Sequence, residues 1–356
     1  MRHGFVKVAA ATPKIKVADT VYNTEQIRLL MTESAAWGAR ITVFPELCIT
    51  GYTCQDLFLQ EKLIAGAKDA LMQLAEASES IPGIYFVGLP YEINGKLYNV
   101  AAAISDGQVL GMVPKSWIPN YNEFYEMRHF ASGAELSTDV TLPDGSEVLV
   151  DREQLFVCEQ MNKLKIGVEL CEDLWTPNPP SIAHALAGAD VIVNLSASNE
   201  ITGKSAYRKE LVCGQSARLV SAYIYASAGE GESTQDLVFS GHNLIAENGR
   251  LLAESKRFGY GVIYTEIDVE KLIAERRRMT TFATQDGYAE TSFELEPEET
   301  KLTRYIDPAP FVPGNKDERD KRCDEILMIQ AMGLKKRLEH TGAGAVVGIS
   351  GGLDST

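Results

Sequence analysis

The 356-residue chain has no Cys-x-x-Cys pair, although it carries six cysteines: Cys48, Cys54, Cys158, Cys171, Cys213 and Cys323. Structural zinc clusters and dithiol redox motifs both need closely spaced thiols, so neither is encoded. The even count permits disulfides, but a chain of this length does not need them to stay folded. Basic residues are in deficit: 34 Lys and Arg stand against 49 Asp and Glu, a net charge of −15. Nucleic acid and anionic membrane are therefore poor main partners, while charge leaves room for a nucleotide held by backbone amides. No apolar run is long enough to span a bilayer, and Met1 to Ala11 lack a signal-peptide pattern. Together these traits predict a reduced, cytoplasmic protein. Histidine is scarce, five in all, and none lies in the motifs below. Internal repeats and low-complexity segments are missing too.

What remains is ordinary for a globular protein with a sizeable core: 45% hydrophobic and 23% charged residues. The length suggests two domains, or one large one with an appendage. Phe5 to Ala10 alternates like a strand. Asn23 can cap a helix, with Gln26 in the capping-box position, Ile27, Leu30, Met31 and Ala35 at helical spacing, and Gly38 as the stop. Ile41 to Phe44 is a short apolar strand that runs into Pro45-Glu46-Leu47. Asp56 to about Ser78 has helical period, and Ile84 to Gly88 is the next strand. Leu97 to Ser105 and Gln108 to Val113 flank Asp106-Gly107, a hairpin signal, and the second strand leads to Pro114-Lys115.

Further on, Lys165 to Leu170 is a strand that ends abruptly at Cys171. Helices at Ser181 to Gly188 and Ser205 to Leu219 alternate with strands at Asp190 to Leu195 and Ala222 to Ala226. A hairpin closes at Asn248-Gly249. Gly261 to Ile267 is expected as the last strand of this body and Val269 to Arg278 as its last helix. Hairpin and helical connections together argue a mixed α/β (α+β) sheet system covered by helices. The expected boundaries are a first domain at 1–279, a linker at 280–315 marked by Pro297, Pro308, Pro310 and Pro313, and a second domain beginning at 316.

Glu46, Lys115 and Cys171 each follow a strand, and side chains at the ends of neighbouring strands can converge in one cleft. The chemistry they suit is acyl transfer. A thiol needs a base, because the thiolate is the nucleophile. His184 is the histidine nearest in sequence to Cys171 and sits in the following helix, where a structural role fits better. Glu46 can take the proton if partial burial raises its pKa. Lys115 can stabilise the oxyanion of a tetrahedral intermediate, and the backbone N–H of Glu172 offers a second donor. Taken singly, each has an ordinary alternative: Cys171 as a small buried hydrophobe, Glu46 as a cap, Lys115 as a solvated hairpin end.

As a set, Phe44-Pro45-Glu46-Leu47 with Gly51-Tyr52, Pro114-Lys115-Ser116, and Glu169-Leu170-Cys171-Glu172-Asp173 resemble the three signature blocks of the nitrilase (carbon–nitrogen hydrolase) superfamily. The resemblance spans roughly Val6 to Ile267. It implies an α-β-β-α sandwich, a Glu46–Lys115–Cys171 catalytic site and a covalent thioester intermediate. A fourth block, Lys115 through Glu126, is similar to a segment of the glutaminase domains of glutamine-dependent NAD+ synthetases. That likeness implies that Tyr121, Phe124 and Glu126 close over glutamine, that Glu126 and Glu172 support the catalytic set, and that Tyr52 and Trp175 touch the substrate. Asn194 to Ser198, with Lys204 and Arg208, resembles the loop that holds the amino-acid end. Ser198 would contact that end, and either Lys204 or Arg208 its carboxylate. No cofactor or metal is implied for this domain.

Residues 316–356 read differently. Lys316 to Glu339 is helical, Ala345 to Ile349 reads as a buried strand, and Ser350-Gly351-Gly352-Leu353-Asp354-Ser355 follows. The Gly-Lys-Ser/Thr ending of a Walker loop is absent, and Gly342-x-Gly344 precedes the strand, which suits no dinucleotide fingerprint. The loop instead resembles the pyrophosphate loop of N-type ATP pyrophosphatases, whose domains are Rossmann-like. That implies ATP binding by Ser350, Gly351, Gly352, Asp354 and Ser355. The chain is then expected to be the N-terminal part of a larger enzyme that uses ATP, Mg2+ and deamido-NAD. It is also expected to form a homo-oligomer, octameric when intact. The competing readings are a stand-alone amidase on another small amide, which has no use for the glycine loop, and a catalytically silent assembly module, which has no use for the three strand-end residues.

Overall fold

The computed structural model describes residues 2–161, 163–296 and 298–353. It divides into two units, the first ending at Arg304 and the second beginning at Tyr305. In chain order the first opens with β1 (Phe5–Thr12), α1 (Thr20–Ala36), β2 (Ile41–Val43), α2 (Glu61–Ser78), β3 (Ile84–Ile93), β4 (Lys96–Ser105), β5 (Gln108–Pro114), β6 (Ser137–Thr141) and β7 (Glu147–Asp151). There follow β8 (Gln154–Cys158), β9 (Lys165–Leu170), α3 (Glu172–Trp175), α4 (Pro180–Leu186), β10 (Val191–Ser196), α5 (Lys204–Leu219) and β11 (Ala222–Ser227). The unit closes with β12 (Leu244–Glu247), β13 (Arg250–Glu254), β14 (Gly261–Asp268), α6 (Val269–Arg278) and β15 (Ala289–Phe293).

Two sheets form, in the orders β14-β1-β2-β3-β4-β5-β7-β6 and β13-β12-β11-β10-β9-β8-β15. The strands explain why the sheets stack. In β1 and β3, successive side chains point to opposite faces and both faces are apolar. Val6, Val8, Ala10, Ile84 and Phe86 face inward, packed with Ile166, Val168, Leu170, Val191, Val193 and Ile224 of the second sheet. Tyr85, Val87 and Leu89 face outward and pack under Ile27, Met31, Leu71 and Leu74 of α1 and α2. Ala185 of α4 and Val212 of α5 cover Ile192, Tyr223 and Tyr225 on the far side. The result is an α-β-β-α sandwich.

This topology brings the three candidate residues to one rim. β2 and β3 are parallel, and β3–β4 and β4–β5 are antiparallel, so β2 and β5 run the same way and end at the same edge. Glu46 and Lys115 follow those ends. β9 and β10 are also parallel, so Cys171 and Ala197 follow neighbouring ends. Gly88 makes the approach close: a Cβ there would lie 2.3 Å from the Leu47 amide nitrogen and 2.7 Å from the Pro45 carbonyl oxygen. Only glycine lets β3 pass directly beneath the Glu46 turn.

Several expectations need correction. The cap of α1 is Asp19, whose side chain accepts from the Tyr22 N–H, not Asn23. Asn23 lies inside the helix, where its amide accepts from the Lys16 N–H and donates to the carbonyls of Lys16 and Ile49. The body does not stop at residue 279. β15 pairs in parallel with β8, and Arg304 donates to both Glu247 carboxylate oxygens at 3.0 Å, while Thr303 Oγ1 and the Arg304 N–H donate to Glu266. The linker expected from 280 therefore contains an edge strand and a half-buried anchor, and the first unit continues to Arg304.

In the second unit α7 (Lys316–Thr341) forms as expected, capped by Asn315 and with no buried residue. The strand expected at Ala345 to Ile349 does not form, and Val346, Val347 and Ile349 are exposed. An isolated strand has nothing to accept or donate its ladder bonds, so the apolar run alone cannot hold one. No helix among the described residues is long and apolar enough to cross a membrane.

His184 packs within the second sheet's helical layer, away from the thiol. Its Nε2–H donates to the Val168 carbonyl at 2.9 Å, so its Nδ1 accepts from the Tyr288 hydroxyl, also at 2.9 Å. Burial holds its pKa down at about 4, below the ordinary 6.5. A lowered folded-state value means that stability is full above 6.5 and is lost as pH falls toward 4, by about 3 kcal/mol. Urea melts across that range should show the loss, and His184→Asn should shallow the slope; an equally steep variant would count against this account.

Candidate active site

Glu46 lies fully buried in the turn after β2. Its Oε1 accepts from Lys115 Nζ and Asn99 Nδ2, each at 2.6 Å, and its Oε2 from the Ala197 N–H at 2.9 Å. One carboxylate oxygen is thus held from the first sheet and the other from the second. Lys115 is equally buried, and its ammonium also donates to Glu126 at 2.9 and 2.7 Å. Burial works against that charge, but Glu126 and Glu46 outweigh it and hold the lysine pKa well above its ordinary value. Glu126 opens a single 3-10 turn and also accepts from the Tyr52 hydroxyl at 2.8 Å. Burial, together with Glu46 nearby, lifts its carboxyl to about 7 against the pull of Lys115.

Cys171 caps α3 with φ 39° and ψ −97°, a left-handed backbone that a β-carbon disfavours. Its N–H donates to the Leu195 carbonyl at 2.9 Å, tying the turn to β10. Burial and the neighbouring Glu46 raise the thiol well above its usual pKa, only partly opposed by Lys115. The thiol is therefore neutral at rest and needs a base. As the first amide of a helix, the Glu172 N–H has no carbonyl one turn earlier to bond.

Cys171 opens on a cavity of about 200 Å³, walled by Tyr121, Phe124, Glu126, Glu172, Trp175, Ser198 and Lys204 among others. The Tyr121 hydroxyl donates to Glu172 at 2.7 Å, and Tyr121 and Phe124 meet edge to face. Lys204 lies over the Trp175 and Phe124 rings, 5.2 and 5.7 Å from their centroids, and bonds Asn199. Tyr52 does not line this cavity; it stands behind Glu126. Arg208 does not line it either. It is fully buried, donating to Glu200 at 3.1 Å, to the Asn199 carbonyl at 3.1 Å and to Ser198 Oγ at 3.4 Å. Its neighbours occupy both terminal nitrogens and leave only Nε without a partner, so no terminal N–H pair is open to a carboxylate. Ser350, Gly351 and Gly352 are exposed, with no strand before them and no cradle of regular structure. Asp354 and Ser355 lie outside the described residues.

Three contributors were not among the expected site residues. Asn99, in the middle of β4, holds Glu46 through its side chain and accepts the Lys115 N–H through its carbonyl at 2.8 Å. Glu232 accepts the N–H groups of Tyr52 and Thr53 at 2.7 and 3.0 Å from 180 residues away. Asp173 accepts from the Trp117 N–H at 2.8 Å and the Leu170 N–H at 3.0 Å, so one buried carboxylate ties the Lys115 loop to the cysteine turn. Only Asp173 stood inside a quoted block, two residues after the thiol.

A family model described as carbon–nitrogen hydrolase matches residues 7–277. The chain belongs to the carbon–nitrogen hydrolase family. It is 39% identical over 368 residues to a glutamine-dependent NAD(+) synthetase of Mycobacterium tuberculosis, covering all of this chain and 54% of that protein. The chain thus spans about half the length of the curated relatives it matches. Among solved structures, a glutamine-dependent NAD(+) synthetase from Cytophaga hutchinsonii aligns with a TM-score of 0.67 and 29% identity, over 74% of this chain and 43% of that one. An amidase from Nesterenkonia sp. aligns with a TM-score of 0.60 and 18% identity, over 78% of this chain and 97% of that one, which speaks to the shared fold alone.

Removing the Asp173 carboxylate leaves buried amides on both loops unmet. Asp173→Ala should therefore cost about 3 kcal/mol of stability, the scale of two or three orphaned donors to a charged group. Urea denaturation would measure it, and a change under about 0.5 kcal/mol would refute the tie.

Proposed function

We propose that this chain hydrolyses the side-chain amide of glutamine to glutamate and ammonia through a thioester on Cys171. The observation that carries the reading is the cavity with the thiol in its wall and a partly buried cation, Lys204, in the same wall beside Ser198. A small amino acid can meet both: its amide at Cys171 and its carboxylate at Lys204, with Glu123 and Glu172 available to its ammonium. Lysine supplies a point charge here, adequate for one carboxylate. The names of the relatives support glutamine as the amide.

The geometry suits a two-stage reaction. Glu46 accepts the thiol proton as sulfur attacks the amide carbon. The oxygen gains charge facing Lys115 and the Glu172 N–H. Glu46 then returns the proton to the departing nitrogen, and ammonia leaves. A water molecule that gives its proton to Glu46 attacks the thioester carbonyl. The tetrahedral intermediate collapses, glutamate departs, and the thiolate recovers its proton. Glu126, steadied by Tyr52, keeps Lys115 charged and aimed throughout.

The intact protein, on this reading, joins the glutaminase to a synthetase domain that uses ATP, Mg2+ and deamido-NAD. The support is the synthetase names of relatives about twice as long. The described residues of the glycine loop do not fit ATP as they stand, so no step is routed through it.

Cys171→Ala should abolish ammonia release while the protein stays folded. Glu46→Gln and Lys115→Met should each lower turnover by about two to four orders of magnitude. The glutamine analogue 6-diazo-5-oxo-norleucine should label Cys171 and spare Cys54, whose thiol burial pushes up to about 12. Glutamine should protect, and a simple aliphatic amide should not. Mass spectrometry of the digested chain decides it: label mainly on Cys54, or labelling indifferent to glutamine, would mean the nucleophile or the substrate is misassigned.

A further inference from the structure

Arg208 lies behind the substrate cavity, and its own surroundings explain what it does there. One guanidinium nitrogen, Nη2, donates to the Asn199 carbonyl and Ser198 Oγ, the turn that faces the cavity. The other, Nη1, donates to Glu200 and meets His242 Nδ1 at 2.9 Å. Asn199 Oδ1 in turn accepts from Lys204 Nζ. The cavity cation and the cavity serine therefore both hang from one turn, which Arg208 holds from behind while Glu123 and the backbone at Phe239 hold Asn199 from other sides.

Arginine has no acceptor, so His242 Nδ1 must face it with a lone pair. The single ring proton then sits on Nε2, which donates to Glu254 Oε1 at 3.0 Å. Glu254 is steadied on its other oxygen by Lys209 at 2.7 Å. His242 is nearly inaccessible, 1% exposed, so water cannot replace Arg208 as its partner. The groups facing the ring are Arg208 from α5, Glu254 from β13 and Glu200 from the turn after β10, with Lys209 and Arg257 completing the network.

We propose that His242, as the neutral Nε2–H tautomer, is a positioning residue that fixes Arg208 and thereby sets the Ser198–Asn199–Lys204 subsite for the amino-acid end of the substrate. The inference rests on the glutaminase reading. A second proton would put an N–H on Nδ1 against the Arg208 N–H groups, cation against cation. Burial and Arg208 oppose that proton and Glu254 favours it, with a net lowering of the ring's pKa. The neutral arrangement is thus kept at neutral pH and is lost on the acid side of the ordinary histidine range. Acid should weaken substrate binding by releasing the turn; Glu126 in the cavity wall, lifted to about 7, titrates alike in parent and His242 variants, so the difference between them isolates His242.

The test uses the full chain carrying Cys171→Ala, so that glutamine binds without reacting, and calorimetric Kd values between about pH 5 and 8, the range over which histidine charges. His242→Leu removes the acceptor and should raise Kd about tenfold at neutral pH, the scale of one lost bond to a charged group. His242→Asn places an uncharged acceptor where Nδ1 was. It should bind normally at neutral pH and lose less affinity in acid than the parent. Alkylation of Cys171 by iodoacetamide in the Cys171-intact His242→Leu protein should change far less than Kd: Ala197 of the same turn donates to Glu46, but Glu46 keeps Lys115 and Asn99 and the Cys171 N–H keeps Leu195. Unchanged Kd in His242→Leu, acid loss in His242→Asn as steep as in the parent, or alkylation slowed as much as Kd is raised would each overturn the proposal. Where His242→Leu fails to fold, the acid profile of His242→Asn decides alone. Failure of the Cys171→Ala parent to bind glutamine at any pH would sink the glutaminase reading and this inference with it, whereas binding that ignores His242 sinks this inference only.

Discussion

A lysine ammonium buried between two carboxylates is the constraint on which the rest of the site depends. Moving one charge out of water costs several kcal/mol, and an unpaired one would not stay charged. Lys115 keeps its charge because Glu46 and Glu126 both bond it, and those carboxylates tolerate burial because Asn99, the Ala197 amide and Tyr52 bond them. Each partner comes from a different stretch of chain. The triad therefore forms only when the two sheets are correctly stacked, which makes the catalytic geometry a consequence of the fold and not of any one loop.

The same requirement explains the backbone around it. Cys171 adopts a disfavoured left-handed conformation, which needs support from outside the turn. That support is the Cys171 amide bonded to Leu195 and the Leu170 amide bonded to Asp173. Asp173 also holds the Trp117 amide, so the nucleophile turn and the lysine loop are set by one carboxylate. Gly88 lets β3 run beneath the glutamate turn without a β-carbon in the way. On the other side of the cavity a second buried cation follows the same logic: Glu200, Asn199, Ser198 and His242 take the terminal N–H groups of Arg208. Buried charge thus organises both the reacting end and the recognition end of the cavity.

The sequence by itself determined the strands that carry the chemistry and where that chemistry lies, though not β6, β7 or β8. Alternation in β1, the apolar runs of β2, β3 and β10, and the Asp106-Gly107 and Asn248-Gly249 turns are local signals with a local cause, and the elements appear where those signals stand. Glu46, Lys115 and Cys171 were legible because each sits directly after such a strand. β15 was not, since Ala289-Glu290-Thr291-Ser292-Phe293 is mostly polar and becomes a strand only because β8 offers it an edge. Asp19 and Asn23 are both good caps, and the choice was made by Ile49 and Lys16, which take the asparagine elsewhere.

Only the tertiary structure decided who touches whom. Lys204 and Arg208 are one helical turn apart and chemically alike, so no local rule separates them. Stacking turned Lys204 toward the cavity and buried Arg208 among acceptors. The run Ala345 to Ile349 shows the converse: its pattern is that of a strand, yet a strand is made of bonds to another strand, and none is available to it among the described residues. Local sequence fixes conformational preference, whereas burial, charge pairing and hydrogen-bond partners belong to the folded whole.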